Sequence, residues 1–153
     1  MADAPALVFA AEVRATVSAP IEIGEVGGGR RRMVAITGGT FVAGDVHGRI
    51  LPGGADWQIV GPDGFSQLDS RYVIETDAGQ MISVHNVGIR HAPSDVMARL
   101  LAGEPVDPAL VYFRTTPRFE TAAPELQWLM RAVFVGIGER YPAEVAIRFY
   151  RVQ

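Results

Sequence analysis

The sequence predicts an all-β protein, a single antiparallel barrel of eight or nine strands with two short helices. Three observations carry this. Alternating apolar and polar runs recur along most of the 153 residues, glycine-rich turns separate them, and only one segment has the caps and period of a helix. Long paired runs joined by short turns suit a meander closing on itself better than Greek-key crossovers, and eight strands leave room inside for packed side chains or one small ligand.

The elements follow in order. Residues 1–5 are expected to be disordered, and 1–153 to form one domain. In Leu7 to Val17 the odd-numbered residues Leu7, Phe9, Ala11, Val13, Ala15 and Val17 share one face, as in a half-buried strand. Ser18-Ala19-Pro20 breaks it, and Ile21 to Gly29 reads as a loop ending in three glycines. A second strand, about Arg31 to Thr37, reaches a bulge or corner at Gly38-Gly39, and strand continues from Thr40 to Leu51 with an interruption near Gly44-Asp45. Pro52-Gly53-Gly54 turns the chain into Asp56 to Val60, which Gly61-Pro62-Asp63-Gly64 ends.

A hairpin then runs from Gln67 to Thr76 and from Gln80 to Arg90. A three-residue loop, Asp77-Ala78-Gly79, fits a type I turn closed by a left-handed glycine and pairs Thr76 with Gln80. Leu68, Ser70, Tyr72 and Ile74 then share a face with Ile82, Val84, Asn86 and Arg90. Asp69, Arg71 and Glu75 lie opposite, with Met81, Ser83 and His85. A two-residue turn would shift the pairing by one and set Arg71 beside Asn86, a register that segregates apolar from charged residues less well.

Ser94 is the expected N-cap of a helix from Asp95 to Leu101, stopped by Gly103. Val111 to Thr115 is strand-like and halted by Pro117. Ala123 to Leu129 forms one or two helical turns with proline near the start. Arg131 to Gly138 and Glu144 to Val152 close the chain as a hairpin.

Composition excludes much chemistry. The absence of cysteine removes disulfides, thiolate nucleophiles and Cys-bound zinc. All fourteen basic side chains are arginine, so Schiff bases and Walker-type phosphate loops are also excluded. No GxSxG elbow or dinucleotide fingerprint is present, and His47, His85 and His91 lack metal-ligand spacing. No metal or cofactor is therefore expected. Arg30-Arg31-Arg32 reads as a solvated strand start, so no nucleic-acid partner is expected. There is no signal-peptide pattern and no apolar run of about twenty residues, and the default is a soluble cytoplasmic protein without a membrane partner.

The remaining polar set suits acid–base chemistry on a small molecule. Asp56 and Glu120 are the candidate proton-transferring carboxylates. Trp57, Tyr72, Tyr112 and Trp128 offer stacking or packing surfaces, while Arg71, Asn86, Arg90 and Arg114 can hold a carboxylate, phenolate or developing enolate. Taken singly, each is more often structural. An arginine pointing inward would favour a pocket, because buried arginine is rare unless paired.

The blocks Pro52-Gly53-Gly54-Ala55-Asp56-Trp57, Leu68-Asp69-Ser70-Arg71-Tyr72, Asn86-Val87-Gly88-Ile89-Arg90, Tyr112-Phe113-Arg114-Thr115-Thr116-Pro117, and Trp128-Leu129 with Phe134-Val135-Gly136 resemble the "domain of unknown function 3237" family of bacteria and fungi. The resemblance covers nearly the whole chain and implies a compact barrel, similar in look to allene-oxide-cyclase-like or calycin barrels. It brings no established activity or catalytic set. The leading expectation is a cofactor-independent isomerase, cyclase or lyase acting on a small aromatic or oxygenated hydrophobic substrate. The alternatives are a non-catalytic ligand-binding barrel and a structural or interaction domain. The aliphatic outer face of strands such as Ala132 to Ile137 invites self-association, so a homo-oligomer is expected.

Overall fold

The computed structural model describes residues 2–153, in which ten strands build eight staves of a closed antiparallel barrel. Strand β1 (Leu7–Val17) and strand β2 (Ile21–Val26) lie end to end against the long bent strand β3 (Gly29–Ala43). Strands β4 (Val46–Ile50) and β5 (Gly54–Val60) likewise share the space between β3 and β6 (Ser66–Thr76). The meander continues through β7 (Met81–His91), β8 (Tyr112–Glu120), β9 (Phe134–Arg140) and β10 (Glu144–Val152). Pairing of β10 with β1 closes the wall.

The hairpin β6–β7 has the register that its turn implies. The Thr76 amide donates to the Gln80 carbonyl at 2.8 Å, Gly79 is left-handed at φ 81°, and Ser70 faces Asn86. The bend in β3 falls at Gly39, where φ is 137° and a Cβ would run into the Arg14 carbonyl; only glycine fits there. Inward side chains at the β4 end of the barrel are apolar and fully buried, among them Phe41, Ile50, Ile74 and Ile82. Phe119 closes this core edge-on against Phe134 and Phe149, at 5.3 and 5.5 Å between ring centres.

Four expectations are corrected. Ile21 to Val26 is a strand, although a loop is expected there. None of its side chains is buried, so the pairing with β3 is held by backbone and leaves no apolar alternation to read. Leu7 and Phe9 point outward, each 54% exposed, because an extra residue at Ala10 inverts the alternation between Phe9 and Ala11. Pro117 does not halt β8: from Thr116 onward β8 has no pairing with β9, and the proline sits inside the barrel where the wall splays. Helix α1 (Ser94–Leu101) has Pro93, not Ser94, at its cap, without a capping side-chain hydrogen bond. The expected helical turns at 123–129 are a 3-10 helix, Pro124–Met130. Among the described residues, no helix is long and apolar enough to cross a membrane.

Candidate functional site

Toward the other end the barrel interior turns polar, and the strand register decides which residues meet. One inward row runs Val34, Asp56, Ser70, Asn86, Pro117 across β3, β5, β6, β7 and β8. The next holds Arg32, Gln58, Leu68, Gly88 and Thr115, and the one beyond sets Ser66 opposite Arg90. Rows lie two residues, about 7 Å, apart and neighbouring staves about 4.8 Å apart, so these side chains share one polar section of the barrel interior, the chamber.

Asp56 is the fixed acceptor of the chamber. Its Oδ2 accepts from Gln58 Nε2 at 2.7 Å, and its Oδ1 accepts from the Asp69 amide at 3.1 Å and Ser70 Oγ at 3.2 Å. Arg90 is only 3% exposed, with its guanidinium 5.6 Å from the centre of the Phe113 ring. Burial brings its pKa down to about 10, the Asp56 charge opposes that fall, and the charges of Arg140 and Arg32 add to it. Arg32, 4% exposed, is lowered mainly by burial, against which Glu22 acts. Arg140 is lowered by burial and then by Arg32. Tyr72 sits just below, facing Val84, and burial alone pushes its phenol well above the usual range.

Three arginines that feel one another therefore share an interior with one inward-facing, half-buried carboxylate, Asp56, and a second, Glu22, exposed at the rim. Seven buried polar atoms gather here without a protein partner among the described residues: Arg32 Nε, Gln58 Oε1, Tyr72 Oη, Asn86 Nδ2 and Oδ1, Arg90 Nε and Thr115 Oγ1. Folded interiors leave few such atoms, since each costs roughly 1–3 kcal/mol. Their convergence from β3, β5, β6, β7 and β8 describes a cradle for an oxygen-rich anion.

The topology leaves one edge of the wall unpaired at this end. Strand β10 stops opposite Thr16, whereas β2 carries the β1 stave further and is paired only with β3. Beyond that point Glu22 lies 3.6 Å from Arg32, and the charges of Arg32 and Arg140 act on one another.

The residues expected from sequence divide accordingly. Asp56, Tyr72, Asn86 and Arg90 come together inside. Trp57, Arg71, Tyr112 and Arg114 lie on the outer wall, where Trp57, Ile59, Val87, Tyr112 and Arg114 help line an open groove of about 970 Å³. Glu120 is exposed near the end of β8, beside a cleft of about 750 Å³ that it shares with Arg71, His85 and Arg118. Trp128 is half-buried in the 3-10 helix, 6.0 Å from Phe134 at the apolar end. The structure adds Arg32, Gln58, Ser66, Thr115 and Arg140. Arg32 carried a readable signal: it alternates with Val34 and Ile36 on the inward face of its strand.

Residues 5–152 match the family described as "Protein of unknown function (DUF3237)". A UPF0311 protein of Rhodopseudomonas palustris is 46% identical over 129 residues, 84% of either chain. The crystal structure of a conserved protein of unknown function from that organism superposes with a TM-score of 0.95 at 39% identity, covering 99% of this chain and 100% of its own. A β-barrel-like protein of Acinetobacter baumannii gives 0.86 at 36%, covering 100% and 99%. An enzyme from Penicillium herquei gives 0.73 at 17%, covering 100% and 98%, a likeness of fold alone.

Proposed function

Because the chain belongs to the DUF3237 family of proteins of unknown function, no activity is inherited with its fold, and we propose one from the chemistry of its barrel interior. The chamber binds a small, partly hydrophobic organic anion and acts on it as a cofactor-independent isomerase, cyclase or lyase. The observation that carries this reading is the set of seven unpartnered polar atoms around Arg32, Arg90 and Asp56. A site rich in fixed donors and shielded from water stabilises charge that develops on a carbonyl oxygen.

In this reading the Asp56 carboxylate takes a proton from a carbon next to a carbonyl, and the electron pair left behind moves onto the oxygen as an enolate held by Arg90 or Arg32. Return of the proton to another carbon completes an isomerisation; attack of the enolate on a second centre closes a ring; departure of a β-substituent gives a lyase. Gln58 and Ser70 fix the direction of the carboxylate, and Tyr72 and Asn86 meet the oxygens of the substrate. A second reading, binding without turnover, draws support from the three donors that Asp56 already satisfies. Outward-facing apolar side chains, such as Trp57 and Tyr112, each 46% exposed, support the separate proposal that copies of the chain associate through this wall.

The test is to incubate the protein with a panel of small aromatic and polyketide-like acids and phenols, following melting temperature together with product mass and retention. A new isomeric or cleaved product that Asp56→Asn abolishes and Glu120→Gln leaves intact supports the enzyme. A melting shift without product supports the binder. Equal rates in the parent and Asp56→Asn remove Asp56 from the chemistry.

A further inference from the structure

We infer that the ligand of this chamber is a carboxylate, and that Glu22 on β2 is its built-in competitor for Arg32. The inference rests on the proposed anion-binding interior and names the anion. Arg32 is nearly inaccessible to solvent, yet its one ionic partner within 4 Å among the described residues is Glu22, whose side chain is 48% exposed. The pair is loose, with Arg32 Nη1 at 3.6 Å from Glu22 Oε1, and the other carboxylate oxygen lies 3.8 Å from Arg30 Nε. The protein thus presents a carboxylate to Arg32 from the solvent side, along an edge where β2 is paired with β3 alone.

The strand that carries Glu22 is built to yield. All six β2 residues are half-buried or exposed, the strand pairs with β3 alone, and its register slips between Glu22 and Gly24. No core packing resists withdrawal of Glu22, while Arg32 is fixed by burial. An entering carboxylate exchanges one oxygen pair for another against the same guanidinium. It also reaches the Arg90 and Asn86 atoms that Glu22, at the rim, leaves unpartnered. Neither a neutral ligand nor a cation would gain from that exchange.

The experiment titrates the full chain with benzoate, and with benzamide as its uncharged counterpart, at low salt by calorimetry. The parent protein, Glu22→Gln, Glu25→Gln and Arg90→Gln are compared. Glu25 is an exposed acid on the same strand, opposite Arg30 and not Arg32. The expected result is benzoate binding that Glu22→Gln tightens about two- to fivefold, the range of an exposed ion pair, with the gain fading in high salt. Glu25→Gln should change it less, and benzamide should not respond. Equal or weaker binding by Glu22→Gln, or an equal gain from Glu25→Gln, overturns the role of Glu22 while Arg90-dependent binding leaves the anion site standing. Benzoate binding that appears only in Glu22→Gln supports the competition. Benzoate binding to neither the parent nor Glu22→Gln overturns both.

Discussion

Replacing Arg90 by methionine should make the protein more stable and less able to bind anions. The two chains of similar length fill the same space, so the change removes charge with little change of volume. A fall in the arginine pKa from 12.5 to about 10 corresponds to about 3 kcal/mol of destabilised charge, at ~1.4 kcal/mol for each tenfold. Loss of the contact with Phe113 takes back roughly 1 kcal/mol, leaving a net gain of about 2 kcal/mol. For a domain of this size that raises the midpoint of thermal unfolding by roughly 4–8 °C. Calorimetry at pH 7 gives the midpoint, and benzoate titration should show at least a tenfold loss of affinity. The sign of the pH dependence is fixed: the folded pKa is lowered, so the cost of Arg90 is fully present below pH 10 and is relieved between about 10 and 12.5. The gain should hold steady from pH 6 to 9. A lower midpoint together with unchanged benzoate affinity would show that Arg90 serves the fold, and would refute the reasoning.

Other outcomes follow from the same geometry. Tyr72→Phe removes a hydroxyl without a protein partner, so stability at pH 7 should hold or rise by about 1 kcal/mol while ligand affinity falls. The folded Tyr72 pKa is raised, so its stabilisation is present below about pH 10 and lost above it; denaturant melts of the variant should show a shallower alkaline decline. Gly39→Ala places a Cβ against the Arg14 carbonyl at positive φ and should cost 2 kcal/mol or more, read as a lower urea midpoint. Ile89→Glu, on the exposed outer wall, should lower the sedimenting mass if copies associate there, and an unchanged mass would send the contact elsewhere.

Much of the barrel was legible because local rules agreed with one another. Asp77-Ala78-Gly79 demanded a turn that also separated Leu68, Tyr72 and Ile74 from Asp69, Arg71 and Glu75, and the register followed. The period of two carried Asn86 and Arg90 inward with Tyr72, which brought half of the chamber into view. What escaped lacked such agreement. Strand β2 buries nothing, so its sequence carries no pattern. The extra residue at Ala10, one of two adjacent alanines, leaves no mark, though it inverts Leu7 and Phe9. Arg32 was masked by Arg30 and Arg31, since three arginines in a row read as a wetted surface even when one points into the core. Trp57 and Arg114 looked like pocket residues by type, but each follows or precedes an inward neighbour and so must face out.

The bend at Gly39 has a consequence for how this barrel can diverge. The staves on either side of β3 are each broken once, at Ser18–Pro20 opposite residues 34–35 and at Leu51–Gly53 opposite residues 37–39, so both neighbours of β3 change strand within one short stretch of it. On one side lies an apolar plug, and on the other a chamber whose polar side chains carry unpartnered buried atoms that favour a ligand over stability. Exchanges of arginines, amides and hydroxyls in the chamber should therefore cost less stability than changes in the plug, while Leu68, Tyr72 and Phe113, in one core cluster with Phe41 and Ile74, tie the two together. Chemistry can thus vary with least loss of stability in one half of the barrel.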